Sequence, residues 1–381
     1  MSLTINLINL ICLAYFVVLI NPLGWHMIIH IAPLYLPFIF KNLNRIHLTN
    51  PKPVLFMFLF FSYTLFSCIF ISNGNGTFDK LIRYFYELIL IAIFFNIIIP
   101  PKTIALLNKF YILSCLAIVL KMAFQRISLP EDETRYTIFN FIKLMDPNFL
   151  TGLFVLPCII LFYRIIHYKQ PKKDMLLLGI LLLAILATGS RGGLLAVLLG
   201  CGIILMKDAS LKWKITMIIL GISTFAVLSY FSVENLSRFT AEGLEDGSNI
   251  LRFHLWGVSW DIFMSNPLFG RGANSMINLG MQYGARINIM VHNTFLEILT
   301  DYGILGFLLW SGVYLSILKR SIHLKNVLTN SILISTAFCA FFISAQDSAF
   351  WWQNIILCNA MLSYQPRDVI DFNYKLHFSN K

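Results

Sequence analysis

HNTFLEILTDYGILGFLLWSGVYLSI, residues 292–317, is where a polar stretch of chain gives way to hydrocarbon. His292, Asn293 and Thr294 close the polar part, and from Phe295 the sequence runs predominantly apolar to Ile317. A bilayer core about 30 Å thick is crossed by roughly 20 helical residues, each rising about 1.5 Å. The stretch therefore predicts a membrane-crossing helix that starts at a membrane face. Similar apolar runs recur on either side of it. We place twelve spans, at residues 4–20, 25–40, 54–71, 82–99, 104–123, 149–166, 175–189, 193–206, 215–231, 295–317, 327–344 and 349–364. The composition agrees: 58% of the 381 residues are apolar and only 12% charged, with a mean hydropathy of +0.75, whereas soluble domains are about a quarter charged. The expected fold class is an all-α polytopic membrane protein, a single membrane domain over residues 1–381.

Residues 3–20 lack a basic leader and a small-residue cleavage site, so they read as a retained span and not as a signal peptide. Cys12, Cys68, Cys115, Cys158, Cys201, Cys339 and Cys358 all fall inside apolar runs without paired or metal-type spacing, and read as small hydrophobes.

The net charge of +11 is accounted for by orientation. Twelve spans put both termini on one side. That side carries Lys41, Arg45, Lys52, Lys102, Arg164, Lys169, Lys172, Lys173, Lys207, Lys212, Lys214, Lys319, Arg320, Lys325, Arg367, Lys375 and Lys381, opposed by Asp174, Asp208, Asp368 and Asp371. Loops rich in Lys and Arg are cytoplasmic, so both termini are expected in the cytoplasm, and the basic excess needs no nucleic-acid partner. The opposite, external side then holds two segments: the charged stretch 125–148 and a polar island at 232–293, between spans 9 and 10.

Three places there are candidates for chemistry. The run Thr188-Gly189-Ser190-Arg191-Gly192-Gly193 sets an arginine between apolar spans, where a charge is costly and usually faces a cavity or a partner. Its guanidinium suits phosphate, and the glycines leave room for a ligand; an arginine snorkelling from a tight external turn is the plain alternative. Arg252 lies in LRFHLWGVSW (251–260), whose Phe253, Trp256 and Trp260 suggest a helix on the membrane surface. Arg271 follows in NPLFGRG (266–272), a turn sequence. These arginines could meet lipid headgroups or bind phosphate. His292, with Asn293 beside it, carries the side chain best suited to proton transfer near neutral pH. Glu297, five residues on, is badly placed on a straight helix to orient it. Weaker candidates are Asp146-Pro147-Asn148, read as a helix entry with Asn148 as its cap, and Asp347, read as lying in a solvated turn with an arginine partner as the alternative. Tyr302-Gly303-Ile304-Leu305-Gly306 reads as a small-residue surface for helix packing. No nucleotide loop, zinc spacing or Asp-x-Asp pair is present, so no metal and no cofactor is expected, and a cytoplasmic sugar nucleotide is not expected as donor.

Taken in order, Gly189-Ser190-Arg191-Gly192-Gly193, Arg252 with Trp256 and Asn266-Pro267-Leu268-x-Gly270-x-Gly272, and His292-Asn293-x-x-Leu296 with Gly303 resemble the O-antigen ligase and polymerase superfamily. The motifs cover residues 146–310. The resemblance implies a GT-C-like architecture in a bacterial inner membrane, with a periplasmic active site under the 232–293 loop. It implies a glycosyltransferase whose donor is a glycan on undecaprenyl diphosphate and whose acceptor is another glycan or lipid A-core, with membrane lipids around it and a chain-length regulator as a further partner. Arg191 and Arg252 would hold the diphosphate, His292 would position or deprotonate the acceptor hydroxyl, and transfer would be a single inverting, metal-independent displacement. Polymerase and ligase share these motifs; the Gly-Ser-Arg-Gly-Gly form and Asp146-Pro147-Asn148 lean towards a polymerase. A flippase or transporter without chemistry is the competing class, and halves that do not repeat argue against it.

Overall fold

The computed structural model describes residues 51–71, 74, 76–96, 99–125, 137–140, 143–168, 171–215 and 247–372. The expected spans at 4–20, 25–40 and 215–231, the retained-leader reading, and the first part of the 232–293 island lie outside these. Over the described residues the chain is helical: α1 (Pro51–Phe70), α2 (Thr77–Phe94), α3 (Pro101–Gln125), α4 (Pro147–His167), α5 (Pro171–Ala187), α6 (Arg191–Asp208), α7 (Gly247–Ser265), α8 (Ser275–Leu279), α9 (Thr294–His323), α10 (Val327–Ala340), α11 (Ala349–Met361) and α12 (Pro366–Ile370). One antiparallel pair of two-residue strands, Phe139–Asn140 with Lys143–Leu144, departs from the all-α expectation, and it is confined to the segment before α4.

Among the described residues, four helices, α1, α3, α4 and α9, are long and apolar enough to cross a membrane. The remaining expected spans that fall on described residues coincide with shorter or more charged helices; α2, for one, carries Asp79, Lys80, Arg83 and Glu87.

The helices sort by where their apolar surface goes. In α4, 83% of the apolar window is buried, and the helix packs against α5, α6 and α10. It is the centre of the bundle. In α1 only 28% is buried. Leu55, Phe58, Phe66, Ile69 and Phe70 stand exposed along it, as suits a helix facing lipid.

The segment from residue 247 to 293 has its own core. Leu255, Val258 and Ile262 of α7 pack with Met276, Ala285 and Val291, and Leu296 of α9 joins them. A loop with a buried apolar cluster keeps a shape, so its polar groups are held in place.

That segment is tied into the membrane domain at a break in α9. Gly303 sits at φ 64, ψ −168 inside the helix, a region essentially reserved for glycine. A helix pairs each N–H with the carbonyl four residues back, and here those pairs are exchanged for bonds to the NPLFGRG turn. The freed carbonyls of Thr300 and Asp301 accept from Arg271 N and Gly272 N at 3.0 and 2.8 Å. The freed N–H groups of Ile304 and Leu305 donate to the carbonyls of Pro267 and Leu268 at 2.9 and 3.3 Å. Tyr63 of α1 closes the joint, its hydroxyl donating to the carbonyls of Phe269 and Tyr302. The small residues read as a helix-packing surface thus do something different: Gly303 breaks the helix so that the turn can be stitched into it.

A Cβ at Gly303 would lie 2.4 Å from the Leu268 carbonyl oxygen. Gly303→Ala is therefore expected to destabilise by about 1–3 kcal/mol from the backbone alone, with the overlap in addition. Thermal unfolding in detergent measures it, and an unchanged midpoint would show that the break is not needed.

Candidate active site

Four separate parts of the chain meet at the N-terminal ends of α4 and α6. The first is the start of α4. Asp146 is its N-cap, with Oδ1 accepting from Asn148 N at 2.7 Å and from Asn148 Nδ2 at 2.8 Å. The cap expected at Asn148 thus belongs to Asp146. Asn148 instead faces α6, where its Oδ1 accepts from Ser190 Oγ at 2.9 Å.

The second part is the α5–α6 turn. Gly189 takes φ 62, and Ser190 caps α6 by accepting from Gly193 N. Thr151 of α4 also donates to Ser190, at 3.1 Å. A Cβ on Gly192 would strike Phe342, and one on Gly193 would strike Thr151. The space expected for a bulky ligand at these glycines is filled by protein: they let α4, α6 and the 341–348 segment close on one another. What remains open to the outside is Arg191, the first residue of α6 and half-buried.

The third part is α7. Arg191 Nη2 donates to Asn249 Oδ1 at 2.9 Å, and Arg252 lies one helical turn further along α7, also half-buried. Of the expected aromatic stripe, Phe253 and Trp260 are exposed. Trp256 turns inward and donates to the Val291 carbonyl, at the foot of His292.

The fourth is His292. It adopts φ 55, a left-handed conformation uncommon outside glycine, though Asn, Asp and His adopt it more readily than most. It is clamped there: its own N–H donates to Ser344 Oγ at 3.0 Å, and Thr294 accepts from Ala345 N while donating to the Ile343 carbonyl. Its Nδ1 lies 4.0 Å from Asp146 Oδ2 and is buried without a hydrogen-bond partner. Burial pushes the imidazole below its ordinary range; Asp146 pulls it up and the Arg252 guanidinium pushes it down again.

A path therefore runs from His292 through Asp146 and Asn148 to Ser190, passes along the chain to Arg191, and crosses to Asn249 of α7, one helical turn before Arg252, whose charge also acts on His292. Other residues singled out from sequence have different surroundings. Asn293 is the N-cap of α9, its Oδ1 accepting from the Phe295 and Leu296 N–H groups. The side chain of Arg271 bonds Ser265 and Tyr283 within the 247–293 segment, and hydrogen bonding of the Tyr283 hydroxyl with Ser265 and with Arg271 lowers it below its ordinary value. Asp347 is not in a solvated turn: it pairs with Arg83 of α2 at 2.8 Å.

Sequence reasoning named Glu297 but passed over its partner, Lys80, and the buried network around them. Lys80 of α2 is buried and bridges Glu297 at 2.9 Å and Asp301 at 3.0 Å. Asp301 also accepts from Asn274 N, Ser275 N and Ser275 Oγ, and Gln346 donates to Glu297. This buried network fixes the first turns of α9 against α2, α8 and the 341–348 segment, and with them the backbone that presents His292. One signal was available. Lys80, Arg83 and Glu87 fall at helical spacing in an otherwise apolar run, and charges so placed need partners.

Proton uptake by a neutral imidazole needs the deprotonated form, and its pKa is depressed here. The acid limb of a pH–rate profile is therefore expected below about pH 6.5, the ordinary imidazole value. A limb at or above that value would show that another group controls the rate.

Compared with protein families, residues 176–311 match a family model described as O-antigen ligase. The match contains Arg191, Arg252 and His292 and excludes Asp146 and Asp347. None of the curated proteins compared with the chain matches it.

Proposed function

We propose, from the match of residues 176–311 to a family model described as O-antigen ligase, that the chain is a member of the O-antigen ligase and polymerase superfamily and polymerises lipid-linked glycan repeat units at the external face of the membrane. The donor is a glycan on undecaprenyl diphosphate, and the product is an O-antigen, capsule or exopolysaccharide chain. The observation that carries this reading is the path from His292 to Arg252. It joins one imidazole and two guanidinium groups from distant parts of the sequence at the outer ends of the central helices. A diphosphate leaving group builds negative charge as it departs, and fixed cations stabilise that charge. Arg191 and Arg252 supply two, and the N-terminal end of α6 adds the positive end of its dipole.

In the proposed step an acceptor hydroxyl attacks the anomeric carbon of the donor sugar. The bond from that carbon to the phosphate oxygen breaks, its electron pair leaving on the diphosphate. The hydroxyl proton passes to His292 Nε2. One displacement inverts the anomeric centre, and the charge is offset by arginine, so no metal is required.

The matched family carries the description of a ligase, which keeps transfer to lipid A-core as the second reading. Deleting the gene and resolving the lipopolysaccharide on a gel separates the two. Loss of a polymerase leaves core with a single repeat; loss of a ligase leaves bare core and polymer stranded on the lipid carrier. An unchanged pattern, for lipopolysaccharide and for other surface polysaccharide, would overturn both.

A further inference from the structure

We propose that Asp146 is the positioning partner of His292, fixing its tautomer and supporting its positive charge as it takes the acceptor proton. This rests on the function proposed above and adds a residue from outside the matched domain.

The geometry is that of a carboxylate shared between two tasks. Oδ1 is occupied by the two donors of Asn148, which lock the side chain at the head of α4. Oδ2 is left pointing at His292 Nδ1, 4.0 Å away. That nitrogen is buried and has no hydrogen-bond partner, a costly condition that a native structure resolves when a partner closes on it. Contacts in unliganded sites are often long and tighten when substrate binds. With Nδ1–H donating to Asp146, the lone pair on Nε2 is free to accept a proton. Arg252 and Asp146 are the charged groups that act on the imidazole, with opposite signs. Burial holds the imidazole below its ordinary range; a diphosphate on Arg252 offsets that guanidinium and leaves Asp146 as the charge that favours proton uptake.

Asp146 also caps α4, and the test must separate that role. Asn and Ser serve as N-caps about as well as Asp, so Asp146→Asn and Asp146→Ser keep the helix start. In Asp146→Asn the two Asn148 donors retain the amide oxygen, which turns the NH2 group towards His292. There it donates to Nδ1 and forces the proton onto Nε2, the wrong tautomer for a base. Turnover is expected to fall by about 10²–10⁴-fold, the usual worth of a general base. Asp146→Ser, with neither the charge nor the competing amide, is expected to lose less. Both proteins should remain in the membrane at wild-type level. A purely structural cap predicts near wild-type turnover in both, and that result would overturn the proposal.

A second readout does not depend on glycan transfer. In protein labelled at histidine, the His292 resonance is assigned by its loss in His292→Gln and titrated by NMR. Asp146→Asn should titrate at lower pH than wild type, because the group that raises the pKa is gone. An unmoved titration would sink the pairing even in an active enzyme. A lowered titration in Asp146→Asn, with a wild-type protein that transfers no glycan, would keep the pairing and refute the function.

Discussion

Asparagine at His292 lowers glycan transfer by about 10²–10⁴-fold, the contribution expected of a positioned general base, while the donor concentration for half-maximal rate stays near that of wild type. Asparagine is the informative choice because His292 holds φ 55. Alanine there would add a backbone cost of about 1–2 kcal/mol, whereas asparagine accepts positive φ more readily. Its side chain cannot take a proton at neutral pH. A loss confined to turnover then reports chemistry and not a collapsed loop. The Asn293 cap, the Ser344 contact and the α9 anchor all involve other atoms and survive. Single-turnover transfer with lipid-linked substrate in detergent measures the step directly. Activity within a few-fold of wild type would remove His292 from the mechanism, leaving Arg191 and Arg252 as binding groups only.

Lys80→Met has the largest expected effect on stability. Its ammonium is buried between Glu297 and Asp301, and removing one partner from such a network leaves carboxylates stranded away from water. Breaking buried pairs in this way costs about 3–5 kcal/mol. The second substitution Glu297→Gln removes one of the stranded charges, so the double variant should recover part of the loss. Asp301 is expected to stay indispensable, since three donors from Asn274 and Ser275 converge on it. Thermal unfolding of the purified protein in detergent gives the comparison. Equal midpoints for wild type and Lys80→Met would mean that the network is dispensable. The activity lost with Lys80 should follow the stability, because the network acts through the backbone that carries His292.

The apolar runs disclosed the helices well, because burial in lipid demands the same composition wherever a helix crosses. Residues 147–167 could be read as a span from hydropathy alone, and they form the buried centre. Hydropathy could not show that α9 is broken. The cause is a single glycine whose freed backbone groups are satisfied by residues some thirty positions earlier, and nothing in the local pattern announces those partners.

The site was legible by residue type and less so by role. Arg191, Arg252 and His292 were chosen because their chemistry is costly at a membrane face, and a path along contacts and chain links them. Asn293 and Arg271 looked alike in sequence, yet their hydrogen bonds serve helix capping and the shape of the 247–293 segment. Asp146 was read as a helix-entry signal, which it is. That role hid its second oxygen, whose direction depends on how α4 stands beside the His292 loop. Asp347 acquired its partner, Arg83, in the same way, through packing between remote helices.

The exchanged hydrogen bonds at Gly303 also set the seams for making hybrid proteins. A donor segment cut at residues 266 and 293 would bring a foreign turn to an unchanged helix. Unless that turn matched in register, the carbonyls of Thr300 and Asp301 would lose their donors and the N–H groups of Ile304 and Leu305 their acceptors next to hydrocarbon, at several kcal/mol for each orphaned group. Moving the second cut beyond Leu305 carries the turn and its receptacle across together. The smallest portable unit of this protein is therefore the segment before α9 together with that helix as far as Leu305.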